Sequence, residues 1–541
     1  MIKGLRRSLP RFRVLLLVTA LAASLAALLP PVAGAEADIR LTQVNRGNIF
    51  NQPATPSVRV ATAEDWVKWC AYDHWNEETT GEAEVTDGSA RVELPVKVTG
   101  YYELFVTTPD GNCKKSTART RFALLPPEKR SAADDFVYSM QTHFTQRGWS
   151  PEDIVPLIKN IGVESVRDSQ PWNRVERGKR GNYQFPADLT NYMRVLDDAR
   201  LDTQIGLGPA NELYDNKCTP YTQEGRDGLA RYAREVLNKY GDQIGSIGIY
   251  NEPNGNHFGD VCLGDNGGPA DSLVKYHYPI AKTVYEELEG DIRMSAPELA
   301  GAAQGWDGDT KFGWLKDYFA KGGLSKLDVV SLHPYRPNGA QKPSQCEPKD
   351  ALCRPEGLVG QQITPVRNYL DNHGARDKQI WITEMGWKSD VIGEAKQAAY
   401  LPRAHVLAMN GGVTKFNWYN MRDHKDKNFG LIRRQSDTVD SYTPKPSYVA
   451  YAVMTSQLSG LSYERGGGVD GVQNHLFSGG TKPTRVMWSP GGNRTVHLEA
   501  SGPVEVVDMM GGKKTLQPGD DGTVSLTVSG NPKYVHGDVE P

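Results

Sequence analysis

Two glutamates in this chain of 541 residues each stand at the end of a short apolar run. Glu252 closely follows the run 247–250, and Glu384 follows the run 380–383. Pro253 cannot donate a hydrogen bond to a neighbouring strand, so the first run must end there. We therefore predict that both carboxylates lie at the carboxyl ends of buried strands. A single glutamate in such a position is more often a helix cap or a solvated turn residue, so the prediction depends on the pair.

A pair of carboxylates that face each other suits the hydrolysis of a glycosidic bond. One carboxyl group protonates the leaving oxygen, and the other attacks the anomeric carbon or activates a water molecule. In a parallel α/β barrel the carboxyl ends of the strands meet around one mouth, where the catalytic residues lie. Two glutamates in equivalent positions are far less expected by chance than one. We predict that Glu252 and Glu384 are the catalytic residues of such a site.

Other predicted strand ends carry polar and aromatic residues that could support this chemistry. A cation beside a carboxylate lowers its pKa, so Arg167 is expected to keep Glu384 ionised. Each of these residues also has a plain structural alternative, such as an ion pair, a buried histidine or a packed aromatic ring. The predicted substrate-binding residues are Arg167, Asn251, His333, Tyr335, Trp418 and Trp172. Further cleft candidates are His143, Asn211, Glu212 and Trp387.

The central part of the chain, residues 134–460, alternates short apolar runs with amphipathic stretches. This alternation is typical of βα units that form a parallel sheet. The predicted strands lie near 137–140, 165–167, 203–207, 246–250, 293–296, 329–332, 379–383 and 414–418. The predicted helices lie near 150–160, 188–199, 226–240, 272–289, 311–322, 363–373, 394–410 and 446–459. This number of repeats in this length matches an α/β fold, the (β/α)8 TIM barrel.

Short alternating runs separated by Asp-Gly and Gly-Gly turns flank this region on both sides. Residues 36–127 are predicted to form an N-terminal β domain and residues 461–541 a C-terminal β domain, each similar to a small β-sandwich. The N-terminal domain also holds a group of aromatic residues: Trp66, Trp69, Tyr72 and Trp75. These rings could stack against a sugar, but packing in the core is the favoured interpretation.

The first 35 residues have the features of a secretory signal peptide. A basic segment precedes the apolar stretch 14–29, and residues 33–35 offer an A-x-A cleavage pattern. The apolar stretch is short for a membrane span, and an uncleaved anchor is the minority alternative. No later segment is long and apolar enough to cross a bilayer. We therefore expect a secreted protein, extracellular or periplasmic, without an integral membrane segment after cleavage.

Charge and cysteine usage limit the partners and the compartment. The formal net charge of −3 gives no reason to expect a polyanionic partner, a nucleic acid included. A monomer is expected. Six cysteines fit an oxidising compartment, and their local order suggests the pairs Cys70–Cys113, Cys218–Cys262 and Cys346–Cys353. The last two would hold loops at the rim of a substrate cleft. No cysteine or histidine spacing suggests a metal site, and no cofactor is expected.

Three segments of the chain resemble clan A retaining glycoside hydrolases. Residues 250–253 read Tyr-Asn-Glu-Pro, residues 333–335 read His-Pro-Tyr, and residues 382–387 read Ile-Thr-Glu-Met-Gly-Trp. The flanking β domains, with a last strand near 531–535, make family 39 the most similar, including bacterial endoglycosidases of exopolysaccharides. The resemblance covers residues 134–460 and is specific to the clan rather than to a substrate.

The resemblance implies a mechanism of double displacement. In it Glu252 is the general acid/base and Glu384 is the nucleophile, with carboxyl groups about 5–5.5 Å apart. Asn251 would contact the 2-hydroxyl of the sugar, and Trp418 would stack under its ring. The other residues that match binding positions of the clan are Arg167, His333 and Tyr335.

The leading interpretation is a secreted retaining glycoside hydrolase that cleaves O-glycosidic bonds of a poly- or oligosaccharide. One alternative is a non-catalytic carbohydrate-binding or scaffold protein on a degraded barrel, which the presence of both glutamates disfavours. Another is a transglycosylase with the same covalent intermediate, which the sequence does not separate from a hydrolase. A metallohydrolase barrel is disfavoured because no His-x-His pattern follows the first predicted strand.

Overall fold

The N-terminal part of the chain forms a sandwich of two β-sheets. The computed structural model describes residues 38–127, 136–208, 210–254, 269–288, 290–300, 313–335, 353–425, 427–434, 439–480 and 482–540. The strands of the sandwich are β1 (Arg40–Gln43), β2 (Ile49–Asn51), β3 (Ser57–Ala61), β4 (Trp66–Asp73), β5 (Glu78–Glu84), β6 (Ser89–Glu93), β7 (Gly100–Thr107) and β8 (Arg119–Leu125). One sheet has the order β1-β3-β6 and the other β2-β8-β7-β4-β5, with an apolar core between them.

Eight parallel strands then close into a barrel, as predicted. They are β9 (Val137–Gln141), β10 (Ser165–Gln170), β11 (Asp202–Leu207), β12 (Ser246–Ile249), β13 (Arg293–Ala300), β14 (Val329–His333), β15 (Gln379–Met385) and β16 (Val413–Trp418). Each pairs in parallel with the next, and β16 pairs with β9. The strands are almost completely buried because helices cover the outside of the barrel, which explains their continuous apolar runs.

Helices follow the strands in the order that the sequence predicts. They are α1 (Phe144–Arg147), α2 (Pro151–Lys159), α3 (Trp172–Val175), α4 (Ala187–Asp198), α5 (Gln223–Tyr240), α6 (Pro269–Leu288), α7 (Gly313–Ala320), α8 (Gln361–Asn372), α9 (Ser389–Ile392), α10 (Glu394–Asn410) and α11 (Pro446–Leu458). Local chemistry sets several starts. Ser150 caps α2 by accepting from the Asp153 amide, and Thr222 caps α5 by accepting from the Gly225 amide. The (β/α)8 fold is therefore confirmed.

Polar side chains fill part of the barrel interior, which in such barrels is usually packed with branched apolar residues. The Asn417 amide donates to Gln204 Oε1 at 3.3 Å, and Gln204 Nε2 donates to Ser295 Oγ at 2.8 Å. Ser139 also bonds to Asn417. The first two bonds join strands that are not neighbours, so they cross the interior. This network supports the charged residues nearer the mouth.

The C-terminal part of the chain forms a second β-sandwich. Its strands are β17 (Ser462–Val469), β18 (Val472–Ser478), β19 (Thr484–Trp488), β20 (Arg494–Ala500), β21 (Val504–Asp508), β22 (Lys513–Leu516), β23 (Thr523–Val528), β24 (Lys533–His536) and β25 (Val539–Glu540). One sheet has the order β17-β18-β19-β24-β21-β22 and the other β23-β20-β25, around a separate apolar core.

Both sandwiches pack directly on the barrel. Tyr101 and Leu125 of the first sandwich and Trp488 of the second belong to the same apolar core as the barrel. Polar contacts add to this packing: Trp488 Nε1 donates to Glu356 Oε1 at 2.7 Å, and the same carboxylate binds Arg403 of α10. The described residues from Ile39 onward form one compact unit.

The described residues test the other structural predictions in part. The disulfide Cys70–Cys113 is confirmed. Cys218 and Cys353 are also disulfide-bonded, but Cys262 and Cys346 lie outside the described residues, so their pairing stays a prediction. The predicted signal peptide also lies outside the described residues. Within the described ranges, a search for helices able to span a membrane finds none.

The aromatic group of the first sandwich divides between its core and its surface. Trp69 is buried in the sandwich core, as favoured, whereas Trp66 and Trp75 are 46% and 41% exposed. Strand alternation explains the difference between Trp66 and Trp69, because residues an odd number apart point to opposite faces.

Gly386 allows the last two barrel strands to approach each other closely at the mouth. A Cβ atom at this position would lie 1.9 Å from the carbonyl oxygen of Tyr419. We therefore expect Gly386→Ala to lower the free energy of unfolding by about 1–3 kcal/mol, since the two backbones must separate. The control is Gly491→Ala, where a Cβ meets nothing within 4 Å and the change should stay within about 0.5 kcal/mol. Equal effects in denaturant titrations would contradict this reading of Gly386.

Candidate active site

The two predicted catalytic glutamates meet at the mouth of the barrel. Glu252 lies just beyond β12, and Glu384 lies near the end of β15. One carboxylate oxygen of each, together with a ring nitrogen of His333, lie within 4.8 Å of one another. His333 Nδ1 is 3.0 Å from Glu252 Oε1, and the Tyr335 hydroxyl donates to Glu384 Oε1 at 3.1 Å. The structure thus brings together four of the predicted residues.

Three residues around the site adopt backbone conformations that residues other than glycine rarely adopt. Tyr250, Glu252 and Glu298 have φ angles of 66°, 50° and 52°. The Glu252 amide donates to the Glu298 carbonyl oxygen at 3.0 Å, which holds the two unusual segments together. Strained backbone of this kind persists only where the surroundings fix it, and it is concentrated at functional sites.

Arg167 occupies the centre of the site and is 6% exposed. Its guanidinium donates to Gln141 Oε1 at 2.6 Å, to Asn251 Oδ1 at 2.9 Å and to Glu298 Oε2 at 2.6 Å. Its Nη1 lies farther, 3.7 Å, from Glu384 Oε2. Arg167 is therefore shared between two carboxylates, and its closer partner is Glu298.

Arg167 acts to lower the pKa of Glu384, as expected, but other effects raise that pKa by more. Burial raises the pKa of Glu384, and the charge of Glu252 raises it further. His333, Arg167 and the Tyr335 hydroxyl each act to lower that pKa, but the net direction is upward. The expectation that Arg167 keeps Glu384 ionised did not account for the burial of the carboxylate, which raises its pKa.

His333 acts as a neutral hydrogen-bonding group rather than as a cation. Burial lowers its pKa to about 4, so the ring is uncharged at neutral pH. Its contact with Glu252 is then a hydrogen bond whose direction depends on the tautomer and on whether Glu252 holds a proton. A neutral ring at this point can orient the Glu252 carboxyl group in both of its protonation states.

The contact with Arg167 fixes the orientation of the Asn251 side-chain amide. Arg167 can only donate, so the oxygen of the Asn251 amide must face it. This leaves the two N–H donors of Asn251 for another acceptor, as the predicted contact to a sugar hydroxyl requires.

Glu298 is a central residue that the sequence analysis missed. It is fully buried and also accepts from Gln204 Nε2 at 3.0 Å. Gly248 leaves room for it, because a Cβ at that position would lie 2.4 Å from Glu298 Oε1. The fifth strand was predicted near 293–296, whereas β13 continues past Pro297 to Ala300. A glutamate close to a strand end beside a proline, as at Glu252, was the available clue.

Trp418 is not at the site, contrary to its predicted role under a sugar ring. Asn417 faces the barrel interior, so strand alternation turns Trp418 outward toward α10. Its ring is fully buried, 6.3 Å from that of His405 and stacked on it. The aromatic residue that strand eight brings to the site is Tyr419, which lies in the electrostatic field of Glu384 and Glu252.

Trp172 is likewise buried away from the predicted cleft. It is 1% exposed, its ring stacks on Tyr214 at 4.9 Å, and its Nε1 donates to Glu176 at 2.6 Å. It therefore supports the fold of the loop after β10 rather than presenting a surface to a ligand.

The other cleft candidates have mixed placements. Asn211 is fully buried and donates to the Glu176 carbonyl oxygen, and Trp387 is buried with its Nε1 on the Cys353 carbonyl oxygen. Glu212 is exposed and pairs with Lys217 at 3.1 Å. His143 lies near the site, with its ring 5.6 Å from that of Tyr419.

The same cluster includes the atoms that could hold a metal ion. In the described part of the chain, Glu252, His333 and Glu384 offer ligand atoms at suitable distances from one another. The Arg167 guanidinium, 3.7 Å from Glu384, places a fixed positive charge beside that position. A cation would be repelled there, so the arrangement favours carboxylate chemistry over metal binding.

Solved structures share this fold at low sequence identity. No protein-family model and no curated protein matches the chain. A family 39 glycoside hydrolase from the gut symbiont Bacteroides cellulosilyticus WH2 is 21% identical, with 92% of this chain and 100% of that chain covered and a TM-score of 0.73. A family 30 endoxylanase from Clostridium papyrosolvens C71 is 13% identical, with 75% and 97% covered and a TM-score of 0.50.

A further similar structure is a 4-O-α-L-rhamnosyl-β-D-glucuronidase from Fusarium oxysporum 12S. It is 12% identical, with 76% of this chain and 98% of that chain covered and a TM-score of 0.52. The resemblance to family 39 that the motifs suggested is thus confirmed as a likeness of fold, and it extends over both sandwiches as well as the barrel.

Removing the Glu298 carboxylate is expected to destabilise the protein strongly. Glu298→Ala leaves the buried charge of Arg167 without its nearest partner, which should lower the free energy of unfolding by about 3–5 kcal/mol. The matched control is Glu212→Ala, which removes an exposed ion pair and should cost at most about 1 kcal/mol. Denaturant titrations of both variants test this, and a small loss for Glu298→Ala would refute the central position given to the Arg167–Glu298 pair.

Proposed function

We propose that this protein is a retaining glycoside hydrolase that cleaves O-glycosidic bonds of a poly- or oligosaccharide. The observation that carries the proposal is the pair Glu252 and Glu384, with carboxylate oxygens within 4.8 Å at the mouth of the barrel. Retaining enzymes keep these groups about 5–5.5 Å apart, whereas inverting enzymes need about 6.5–9.5 Å to admit a water molecule. The similar fold of several glycoside hydrolases supports the proposal.

The proposed reaction is a double displacement. Glu384 attacks the anomeric carbon while Glu252 gives its proton to the leaving oxygen, so the glycosidic bond breaks and a glycosyl ester forms. Glu252, now a carboxylate, takes a proton from water as that water attacks the anomeric carbon of the ester and breaks its bond to Glu384. Glu384 then leaves as a carboxylate. Tyr335 stabilises the charged form of Glu384 by its hydrogen bond, and His333 orients Glu252.

We also propose that the protein is exported. The basic and apolar segments of residues 1–35 support this, with the A-x-A pattern at their end. The disulfide Cys70–Cys113 and the bonded state of Cys218 and Cys353 are further support, since disulfides persist in oxidising compartments. Polysaccharides outside the cell, including exopolysaccharides, are therefore the substrates to test first.

Loss of either carboxylate is expected to abolish most of the activity. A panel of polysaccharides assayed for released reducing ends identifies the substrate. On that substrate Glu252→Gln should lower kcat/KM by about 100- to 10,000-fold, because proton transfer to the leaving oxygen is lost. Glu384→Gln should lose at least as much. The exposed Glu82 of β5 provides the control Glu82→Gln, and an unchanged rate for Glu384→Gln would rule out the proposed mechanism.

The stereochemistry of the product separates the proposed mechanism from its rivals. Proton NMR during the first minutes of hydrolysis should show a product with the anomeric configuration of the substrate, since two displacements each invert the anomeric carbon. Inversion would exclude Glu384 as nucleophile. Chromatography of the products in the presence of an added sugar acceptor distinguishes water from a sugar hydroxyl as the second attacking group, and thereby a hydrolase from a transglycosylase.

The fall of kcat/KM at low pH is expected to follow the protonation of Glu384. Its pKa is raised, and a nucleophile must be deprotonated, so kcat/KM should fall with decreasing pH already above the ordinary glutamate range. Tyr335→Phe removes a hydrogen bond that lowers this pKa, so the fall should move to still higher pH. Tyr72→Phe, which breaks a similar Tyr–Glu bond in the first sandwich, is the control. A shift to lower pH in Tyr335→Phe would contradict this assignment.

A further inference from the structure

A group of donor atoms without partners lies beside the two carboxylates. Three nitrogen atoms, Nη1 of Arg147, Nε1 of Trp149 and Nε of Arg422, are buried and make no hydrogen bond. All three can only donate. Arg147 and Trp149 follow the first barrel strand, and Arg422 follows the last. We call these three residues the donor cluster. Buried polar atoms are normally paired, so three unpaired donors in one place call for an acceptor.

The donor cluster is linked to the two glutamates through Tyr419. Nη2 of Arg147 donates to the Tyr419 hydroxyl at 3.0 Å, and Tyr419 lies in the field of both Glu384 and Glu252. The Arg422 guanidinium lies over the Trp149 ring, 4.8 Å from its centroid. The cluster therefore lies on the loops that follow the first and last barrel strands, next to the aromatic residue that borders the two carboxylates.

The turn that carries Arg147 is fixed by a carboxylate that does not neutralise it. Asp168 accepts from the Thr142 hydroxyl at 2.7 Å, from the Phe144 amide at 2.8 Å and from the Thr145 hydroxyl at 3.0 Å. These bonds hold α1 in place and use the oxygens of Asp168. The position of Arg147 is thus set before any ligand binds, as a binding residue requires.

The charge of the donor cluster is only partly balanced by the described residues. Within the described ranges neither Arg147 nor Arg422 forms an ion pair. Asp153 attracts Arg422, and Tyr442 is a hydrogen-bonding partner of Arg422. Asp153 is, however, also paired with Arg46 at 2.7 Å and accepts from the Tyr442 hydroxyl. His424 lies near both arginines and adds no negative charge. Buried or half-buried charge without a partner is costly, so a bound anion would stabilise this region.

We propose that the donor cluster binds a negatively charged substituent of the carbohydrate, a carboxylate or a sulfate, and that the substrate is an acidic polysaccharide. This inference rests on the proposed function, since it places the anion next to the bond that Glu252 and Glu384 cleave. A neutral sugar hydroxyl could accept one of the hydrogen bonds, but it would leave both guanidinium groups without an ion pair. An oxyanion accepts several charge-assisted bonds at once and supplies the missing charge.

The test compares acidic polysaccharides with their neutral derivatives. A panel of uronic acid polymers is assayed before and after reduction of the carboxyl groups to hydroxyls, and a panel of sulfated polymers before and after desulfation. For the preferred polymer, the acidic form should be cleaved with the lower KM. Arg147→Gln should raise KM for that form by about 10- to 100-fold, the range for a hydrogen bond to a charged group, with a smaller change in kcat. The neutral form should respond little.

The experiment distinguishes a carboxylate ligand from a sulfate ligand. It also distinguishes an effect of the charge at position 147 from an effect of the side chain's shape. Carboxyl reduction and desulfation each remove one kind of anion, so the panel that loses activity identifies it. Arg147→Lys keeps the charge and should retain part of the preference. Arg376→Gln is the control, because Arg376 is exposed on the turn before β15, at the opposite end of the barrel. Added salt should weaken the preference for the acidic form, since it screens the attraction.

Binding is measured independently of cleavage by electrophoresis in gels that contain each polymer. Retardation of the wild type by the acidic form, reduced in Arg147→Gln, supports the inference even if no polymer is cleaved, and in that case the proposed function fails instead. Equal cleavage and equal retardation by the acidic and neutral forms would overturn the inference. The proposed function would then stand, provided that Glu384→Gln is inactive on the same polymers.

Discussion

The buried charge of Arg167 is the constraint on which the rest of the site depends. A guanidinium inside a barrel is tolerated only if its donors are paired and its charge is balanced. Glu298 supplies the nearest countercharge, and Gln141 and Asn251 accept from the remaining donors. These partners come from strands one and five and from the end of strand four, so one charge joins distant parts of the barrel. The Glu298 carbonyl oxygen also accepts a hydrogen bond from the amide of Glu252, which ties the proposed acid/base residue to the same centre.

The same arrangement places three carboxylates around one guanidinium. Burial and the charge of Glu252 raise the pKa of Glu384, while Arg167 and Tyr335 act against this rise. Like charges at close range resist being ionised together, so the pair of glutamates retains a proton more readily than isolated residues would. Double displacement needs this state, with one carboxylate and one carboxylic acid. In the proposed mechanism, Glu384 loses its charge when it becomes an ester, so the repulsion on Glu252 falls and Glu252 can act as the base.

The pattern of apolar and polar residues predicted the features of the fold that depend on local sequence. Apolar runs and amphipathic stretches located the eight strands, and strand ends located Glu252, Glu384, His333 and Tyr335. Glu298 was not predicted because it lies beyond Pro297 and beyond the predicted end of the fifth strand. Its role also arises from contacts with strands that are distant in the sequence. Trp418 and Trp172 were misplaced because a position at a strand end does not say which face a side chain takes. The inward direction of Asn417, which decides the outward direction of Trp418, follows from a bond across the barrel.

The central claim is that Glu384 forms a covalent bond to the sugar, and trapping that bond tests it most directly. A glycoside of the substrate sugar with fluorine at carbon 2 and a good leaving group reacts in the first step but is hydrolysed slowly, because the fluorine destabilises both transition states. Mass spectrometry of the digested protein should then find the sugar on the peptide that contains Glu384, with no adduct in the Glu384→Gln variant. An adduct on another residue, or rapid inactivation of Glu384→Gln, would contradict the account.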